Sequence, residues 1–273
     1  MNLLWKYKSP TNTGHCPLPV DVDGDGRDEV LVGYRLLDSD GTELWHYPIT
    51  ADHTDEMVAG CWKPGDPNGY FACVAGTQGF FIGDFYGNIV ARDMIGHAQR
   101  VSVANYCPQR PGLEICATNF WGHQGCIFLY DADGHPIWEM ENEMNGNIIA
   151  PVNWDGSGVE LILTNADAAK GGLLNGSGVR AVSFPDDGHP VMCTEVLDMT
   201  GDERDELVVW DYHSMYIYTQ ADNPREQHYH PLKFPAYNAS NYRGEYAFPD
   251  ASYMTFRADR QKMKGKQPDQ QRA

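Results

Sequence analysis

The sequence has no run of roughly 18 apolar residues, no long apolar stretch within its opening MNLLWKYKSP, and no CxxC pair. The first absence removes any membrane-spanning helix from expectation. The second removes a signal peptide, so the chain as it stands reads as cytoplasmic, or as extracellular if its N-terminus is truncated. The third removes thiol zinc sites and dithiol redox motifs. Basic residues are also few: 20 Lys and Arg against 38 Asp and Glu leave a net charge of −18. Such a field repels phosphate backbones and anionic lipid, so neither nucleic acid nor a membrane is an expected partner, although a local basic cluster in a cleft can still accept an anion. Helical periodicity never persists over a helix length, so helix should be scarce. The 7 Cys are odd in number and irregularly spaced, which favours reduced, packed thiols over a disulfide framework.

What the chain does have is 12% aromatic residues, 28 Gly and 17 Pro, in keeping with many short strands and turns. Aligned against itself, it repeats with a period of about 45 residues, the length of a four-stranded propeller blade. About five units are visible. Inner strands read Cys16–Val20, Met57–Ala59, Val101–Ala104, Ile148–Val152 and Val191–Leu197, and second strands Glu29–Val32, Tyr70–Val74, Leu113–Ala117, Glu160–Leu163 and Glu206–Trp210. Third strands are expected at Gly79–Ile82, Cys126–Tyr130, Val179–Ser183 and Met215–Tyr218. The turns Asp38-Ser-Asp-Gly41 and Asp131-Ala-Asp-Gly134 lead into outer strands with Leu44-Trp45 and Ile137-Trp138. Leu4-Trp5-Lys6-Tyr7 copies Leu44-Trp45-His46-Tyr47, so the chain opens on an outer strand: it either closes a five-bladed ring or belongs to a larger, partial propeller. The expected fold is therefore an all-β propeller over 1–220, a closing or covering segment over 221–256 and a disordered, Gln-rich tail over 257–273.

Two features carry chemistry. In Asp21-Val-Asp23-Gly-Asp25-Gly-Arg-Asp28-Glu29, oxygen donors recur at alternate residues and a carboxylate closes the loop, as a hard cation requires. Val32 stands where an EF-hand needs Glu and a strand follows instead of a helix, so a propeller-type Ca²⁺ loop is expected. A weaker copy runs through Asp198, Thr200, Asp202, Asp205 and Glu206, while the Asn153–Glu160 loop and those after Gly60 and Asn105 are eroded into ordinary turns. Either cation would clamp a loop of mutually repelling carboxylates. The second feature is histidine at one phase of the repeat: His15, His53, His97 and His189 each precede an inner strand, where side chains converge on one mouth of a propeller. Such a ring can bind a metal, take a proton or hydrogen-bond a sugar; it can also be a duplicated Gly-His turn without function. His97 with Arg100 is the favoured pair, the guanidinium neutralising a uronate carboxylate and the imidazole taking the adjacent proton. Lys170 and His189 join them as candidate catalytic groups, and His15, His53, Arg180, Tyr242 and Arg243 as candidate substrate contacts.

The Asp21–Glu29 loop, the DxDG turns followed by Trp, the Gly96-His-Ala-Gln-Arg-Val-Ser-Val103 segment with Pro111-Gly-Leu-Glu-Ile-Cys116, and Asn241-Tyr-Arg-Gly-Glu-Tyr246 are similar to the C-terminal propeller region of family 11 rhamnogalacturonan lyases and to related FG-GAP-like repeats. The resemblance implies β-elimination on a rhamnose- and uronate-containing polysaccharide or oligosaccharide, carried out on an eight-bladed, Ca²⁺-rich propeller. The visible blades number about five and most acidic loops are eroded, as in a truncated or diverged relative. A noncatalytic Ca²⁺-stabilised propeller that binds glycan or protein, or an inactive fragment of a larger lyase, is the alternative.

Overall fold

The computed structural model describes residues 1–119, 125–141, 148–221 and 256–263. Among them stand five antiparallel sheets, and the one helix is a single turn, α1 (Arg260–Met263). The first sheet is β1 (Leu18–Val20), β2 (Glu29–Val32), β3 (Arg35–Leu37) and β4 (Glu43–His46), and the second β5 (Glu56–Gly60), β6 (Tyr70–Val74), β7 (Phe80–Asp84) and β8 (Ile89–Asp93). The third is β9 (Ala98–Ala104), β10 (Glu114–Asn119), β11 (Cys126–Tyr130) and β12 (Pro136–Glu141), and the fourth β13 (Ala150–Val152), β14 (Leu161–Asn165), β15 (Gly172–Leu174) and β16 (Arg180–Val182). The fifth holds three strands, β17 (Cys193–Leu197), β18 (Glu206–Trp210) and β19 (Met215–Tyr218). No described helix is long and apolar enough to cross a membrane, and all seven Cys are free.

Strand order within each sheet follows the chain, and first strands of successive sheets touch: β1 on β5, β5 on β9, β9 on β13, β13 on β17. Burial falls from the first strand outward. Every residue of β5 and β10 is buried, whereas β8, β12 and β16 are largely half-exposed or exposed. In the second, third and fourth sheets the first and second strands are buried along nearly their whole length, and so read in sequence as continuous apolar runs rather than alternating ones. The core is correspondingly divided. One apolar cluster joins the first and second sheets through Leu36, Trp45, Phe71 and Phe81, and another joins the second and third through Phe80 and Tyr130, whose rings stack at 4.5 Å. Two more lie between the third and fourth sheets (Leu129, Ile149, Ile162) and between the fourth and fifth (Leu163, Phe184, Val209).

Three details differ from the sequence reading. Val179–Ser183 overlaps β16, the fourth strand of its sheet rather than the third, because Asn175-Gly-Ser-Gly178 forms the same hairpin turn as Asp38–Gly41 and leaves Gly172–Leu174 as the third. The opening Leu4–Tyr7 copy is not paired into a sheet; it lies against the first sheet, with Trp5 Nε1 donating to Ser39 O at 2.9 Å. The tail expected to be disordered from Arg257 is packed through Met263. Phe256, Ala258 and Met263 are buried in the first cluster, and Ala258 N donates to Val22 O at 3.0 Å. The apolar residues at 256, 258 and 263, spread among charges, fill a gap between the first two sheets.

Candidate functional site

The start of each first strand is where side chains gather. His15 N donates to Thr54 O at 2.9 Å, which draws the entrance of β1 onto that of β5. Gly14 makes this approach possible: it has φ +73°, and a Cβ there would lie 2.0 Å from Thr54 Oγ1. Asp52, a non-glycine residue at φ 62°, holds the other side. Its Oδ1 accepts the His53 N–H at 2.9 Å and lies 2.8 Å from His53 Nδ1, while its Oδ2 accepts from Thr77 N and Oγ1, both at 2.7 Å.

That grip turns His53 Nε2 toward Asp55, 3.4 Å away, and His15 Nε2 reaches the same Asp55 Oδ1 at 3.7 Å. The two imidazoles meet edge to face at 4.7 Å, and His97 lies beyond His53 at 6.3 Å. In β9 the register shifts between Arg100↔Thr118 and Ala98↔Asn119, so Gln99 is the extra residue of a bulge, and its Nε2 donates to Asp55 Oδ1 at 3.0 Å. Burial pushes the Asp55 carboxyl up, and His53, the Gly76 N–H, His97 and His15 pull it back. Ligand atoms of His15, His53 and Asp55 all lie within 4.8 Å of one another, a mixed nitrogen and oxygen set that fits a divalent cation.

The structure thus brings together three of the four repeat-phase histidines. His189 stands apart. Its Nδ1 is 2.7 Å from Asp187 Oδ1 and its Nε2 2.5 Å from Ala166 O, among the rings of Phe184, Tyr216 and Tyr218. Burial there lowers its pKa, but the Ala166 carbonyl and Asp187 outweigh it and leave the imidazole raised, as suits a ring that holds two elements together. Arg100 is buried, with Nη1 3.5 Å from Glu56 Oε1, and the same carboxylate takes the Val101 N–H at 2.9 Å. Lys170 is exposed in the turn before β15, and Arg180 Nη1 donates to Ala169 O at 2.6 Å, bracing that turn. Tyr242 and Arg243 lie outside the described residues. Sequence reasoning passed over Asp52, Asp55 and Gln99. Asp55 carried a usable signal, since a residue two places beyond His53 on an extended chain shares its face.

The acidic loops also separate. In the first, Asp21 accepts N–H groups from Gly24, Asp25 and Gly26 at 2.8–3.1 Å. Ligand atoms of Asp21, Asp23 and Glu29 fall within 4.8 Å of one another. Glu29 Oε2 accepts the Val22 N–H at 3.1 Å, while Oε1 is buried without a hydrogen-bond partner. Burial pushes this carboxyl up to about 7. Asp25 instead faces Arg27 at 3.1 Å and Arg260 at 3.0 Å, and Arg260 also grips Asp38 at 2.5 Å. In the second loop Asp198 caps three backbone N–H groups and Glu206 takes those of Met199 and Thr200. There Asp202 pairs with Arg204 at 2.5 Å and Asp205 accepts Asn153 N at 2.6 Å, so their carboxylates turn away from a shared centre. The closing Glu is itself a repeat device: Glu29, Glu114 and Glu206 each take the N–H seven residues back, at 3.1, 2.7 and 2.7 Å.

The homologues of this chain are rhamnogalacturonan lyases, at low identity over most of its length. No family model matches it. It is 26% identical to rhamnogalacturonan exolyase YesX of Bacillus subtilis (strain 168) over 260 residues, 82% of this chain and 39% of that protein. It is 28% identical to rhamnogalacturonan endolyase YesW of the same organism over 239 residues, 80% of this chain and 35% of the relative. The chain therefore spans less than two-fifths of the length of either. The solved Bacillus licheniformis Rhamnogalacturonan Lyase PL11 shares its fold, with a TM-score of 0.60 and 22% identity over 94% of this chain and 41% of that one.

Proposed function

We propose that the five sheets are blades of a β-propeller, and that the chain acts as a polysaccharide lyase on a rhamnose- and uronate-containing glycan at the mouth formed by His15, His53, Asp55 and His97. The observation that carries this reading is the convergence of His15, His53 and Asp55 within 4.8 Å, with His97 next to His53. A divalent cation would be held by His15, His53 and Asp55, whose two imidazole nitrogens favour a transition-series ion such as Mn²⁺ over the oxygen-seeking Ca²⁺, and would supply positive charge to neutralise the uronate carboxylate. That assignment replaces Arg100, whose guanidinium is committed to Glu56. His97 takes the proton from C5, the electron pair forms the C4=C5 double bond, and the C4–O bond to the leaving sugar breaks as its oxygen is protonated from water. Lys170, in the turn before β15, would meet more distant sugars, with Arg180 bracing that turn. A Ca²⁺ at Asp21, Asp23 and Glu29 would clamp its loop and take no part in the chemistry.

The test is absorbance in the unsaturated-uronate band during incubation with rhamnogalacturonan, with Mn²⁺, with Ca²⁺ and with a chelator. The expected result is a cation-dependent rise, strongest with Mn²⁺, that His97→Ala and His53→Ala abolish while the protein stays folded. No rise from folded protein would sink the lyase reading. It would favour the glycan-binding alternative, which the enclosed Arg100 already supports.

A further inference from the structure

The first acidic loop is already faced by a cation of the chain's own. Arg260, in α1, places Nη1 3.0 Å from Asp25 Oδ2 and 3.6 Å from Asp23 Oδ2, and Nη2 2.5 Å from Asp38 Oδ2. The Asp23 and Asp38 carboxylates are nearly enclosed, whereas the Arg260 side chain keeps 30% of its surface in solvent. The strap that carries it, Phe256–Met263, lies along the loop. Ala258 N donates to Val22 O at 3.0 Å, and a Cβ at Gly24, which has φ +74°, would come within 2.7 Å of Arg257 Nη1. A guanidinium 235 residues on from Asp25 is thus held against the acids of the loop.

The loop of the fifth sheet has the same place filled from within. Arg27 and Arg204 stand at the same step of the two loops, each two residues after the Asp it pairs with. Arg204 folds in: its side chain is 5% exposed, and it meets an Asp202 that is 1% exposed. Arg27 stays out, 68% exposed, and pairs with Asp25 at 3.1 Å from the solvent side. The inner positive charge that Arg204 supplies to the one loop therefore comes to the other from Arg260. At the bottom of this first loop one oxygen is still unmet. Glu29 is buried and keeps Oε1 without a hydrogen-bond partner, and its ligand atom lies within 4.8 Å of those of Asp21 and Asp23. Such an oxygen, beside two more carboxylates, suits a hard cation.

We propose that Arg260 and Ca²⁺ compete for this loop. Ca²⁺ takes Asp21, Asp23 and the unmet oxygen of Glu29; Arg260 gives up Asp23 and Asp25 and keeps Asp38, and the strap loosens. The inference rests on the assignment of Ca²⁺ to this loop. The coupling is reciprocal: by whatever factor the docked guanidinium weakens Ca²⁺ binding, bound Ca²⁺ weakens the docking of the strap. A divalent ion and a guanidinium a few ångströms apart near the surface set that factor at roughly tenfold. The buried Phe256 and Met263 keep the strap in place, so the loosening is local. Ca²⁺ still stabilises the fold as a whole, because it binds the folded loop and not the unfolded chain.

The experiment joins Ca²⁺ titration calorimetry with deuterium uptake of the 256–263 segment, read by mass spectrometry on the full chain. Arg260→Gln should bind Ca²⁺ about tenfold more tightly than wild type. Arg27→Gln should gain less than about threefold, because its guanidinium is exposed and screened. Asp21→Asn should abolish the Ca²⁺ heat of the loop with or without Arg260→Gln. In wild type, Ca²⁺ should speed deuterium uptake at the Arg257 and Ala258 amides several-fold; in Arg260→Gln it should leave uptake unchanged. The wild-type uptake needs no variant to fold, and circular dichroism checks the variants. Equal Ca²⁺ affinity in wild type and Arg260→Gln, or slower uptake in wild type with Ca²⁺, would overturn the competition while leaving Ca²⁺ at the loop. Absence of any Ca²⁺ heat, or a heat that Asp21→Asn leaves unchanged, would remove Ca²⁺ from the loop and the competition with it.

Discussion

Replacing Glu29 and Glu114 with Gln, one at a time, separates a clamp from a cation ligand. Both carboxylates are buried, both take the N–H seven residues back, both leave Oε1 without a hydrogen-bond partner, and burial raises both to about 7 from 4.5. They differ in company: Glu29 faces Asp21 and Asp23, whereas the Cys107–Leu113 loop before Glu114 holds no acid. An acid raised in the folded state contributes stability that is fully present below its unfolded value and lost as pH rises through its folded one. Without Ca²⁺, each Glu should thus cost up to about 3 kcal/mol between pH 4.5 and 8. Gln removes that cost but buries an amide N–H without a partner, at about 1–3 kcal/mol, leaving a net gain of roughly 1 kcal/mol at pH 8. For a chain of this size that is a rise of about 2–4 °C in melting temperature, and the loss of stability between pH 4.5 and 7 should flatten in both variants. Added Ca²⁺ should raise the melting temperature of wild type and Glu114→Gln alike, and leave Glu29→Gln nearly unmoved. Differential scanning fluorimetry at pH 5 and pH 8, with Ca²⁺ or chelator, reads all of this. An equal Ca²⁺ response in the two variants would refute a cation at Asp21, Asp23 and Glu29, and a large fall in both at pH 8 would refute the charge argument.

Trp45→Phe deletes a hydrogen bond to Phe85 O and shrinks a buried ring stacked near Phe71, so it should cost about 2–4 kcal/mol in urea unfolding. A cost below 1 kcal/mol would mean the turn carbonyl is satisfied otherwise. Asp52→Asn should weaken Mn²⁺ binding at His15, His53 and Asp55 about tenfold by calorimetry, because it is the grip of Asp52 that aims His53 Nε2. Unchanged affinity would show that His53 holds its pose without it. Arg260→Gln should make the 256–263 segment several-fold more sensitive to protease, with a stability loss of about 1–2 kcal/mol spread over its contacts to Asp38 and Asp25. If sensitivity stays the same, the buried Phe256 and Met263 hold the segment alone.

Most of the fold was legible because strands covered on both faces are written as apolar runs closed by Gly, Asp and Asn, as in Tyr70–Val74 and Glu206–Trp210. The strands that escaped notice are Arg35–Leu37 and Gly172–Leu174, each three residues long and too short for a pattern to show, and Ile89–Asp93, whose mostly half-exposed residues carry no apolar run. At the site, repeat phase located His15, His53 and His97, but phase fixes only where a residue starts. His189 has the same phase, and the rings of Phe184 and Tyr218 with the Ala166 carbonyl take its side chain elsewhere. Asp55 and Gln99 were hidden by context, the one at the head of an apolar strand and the other brought in by a bulge that sequence does not announce. The pairing of Arg100 with Glu56 depends on two strands 44 residues apart and could only be seen once they were side by side.

Each apolar cluster spans only two neighbouring sheets. The molecule is therefore cohesive in the way a stack of coins is, through its contacts in series rather than through one shared centre. In such a stack the weakest boundary sets how much unfolds together. The Arg260 segment reinforces the boundary between the first two sheets and none of the later ones. Heating should accordingly release the fourth and fifth sheets before the first and second, so that a single melting temperature would average two events.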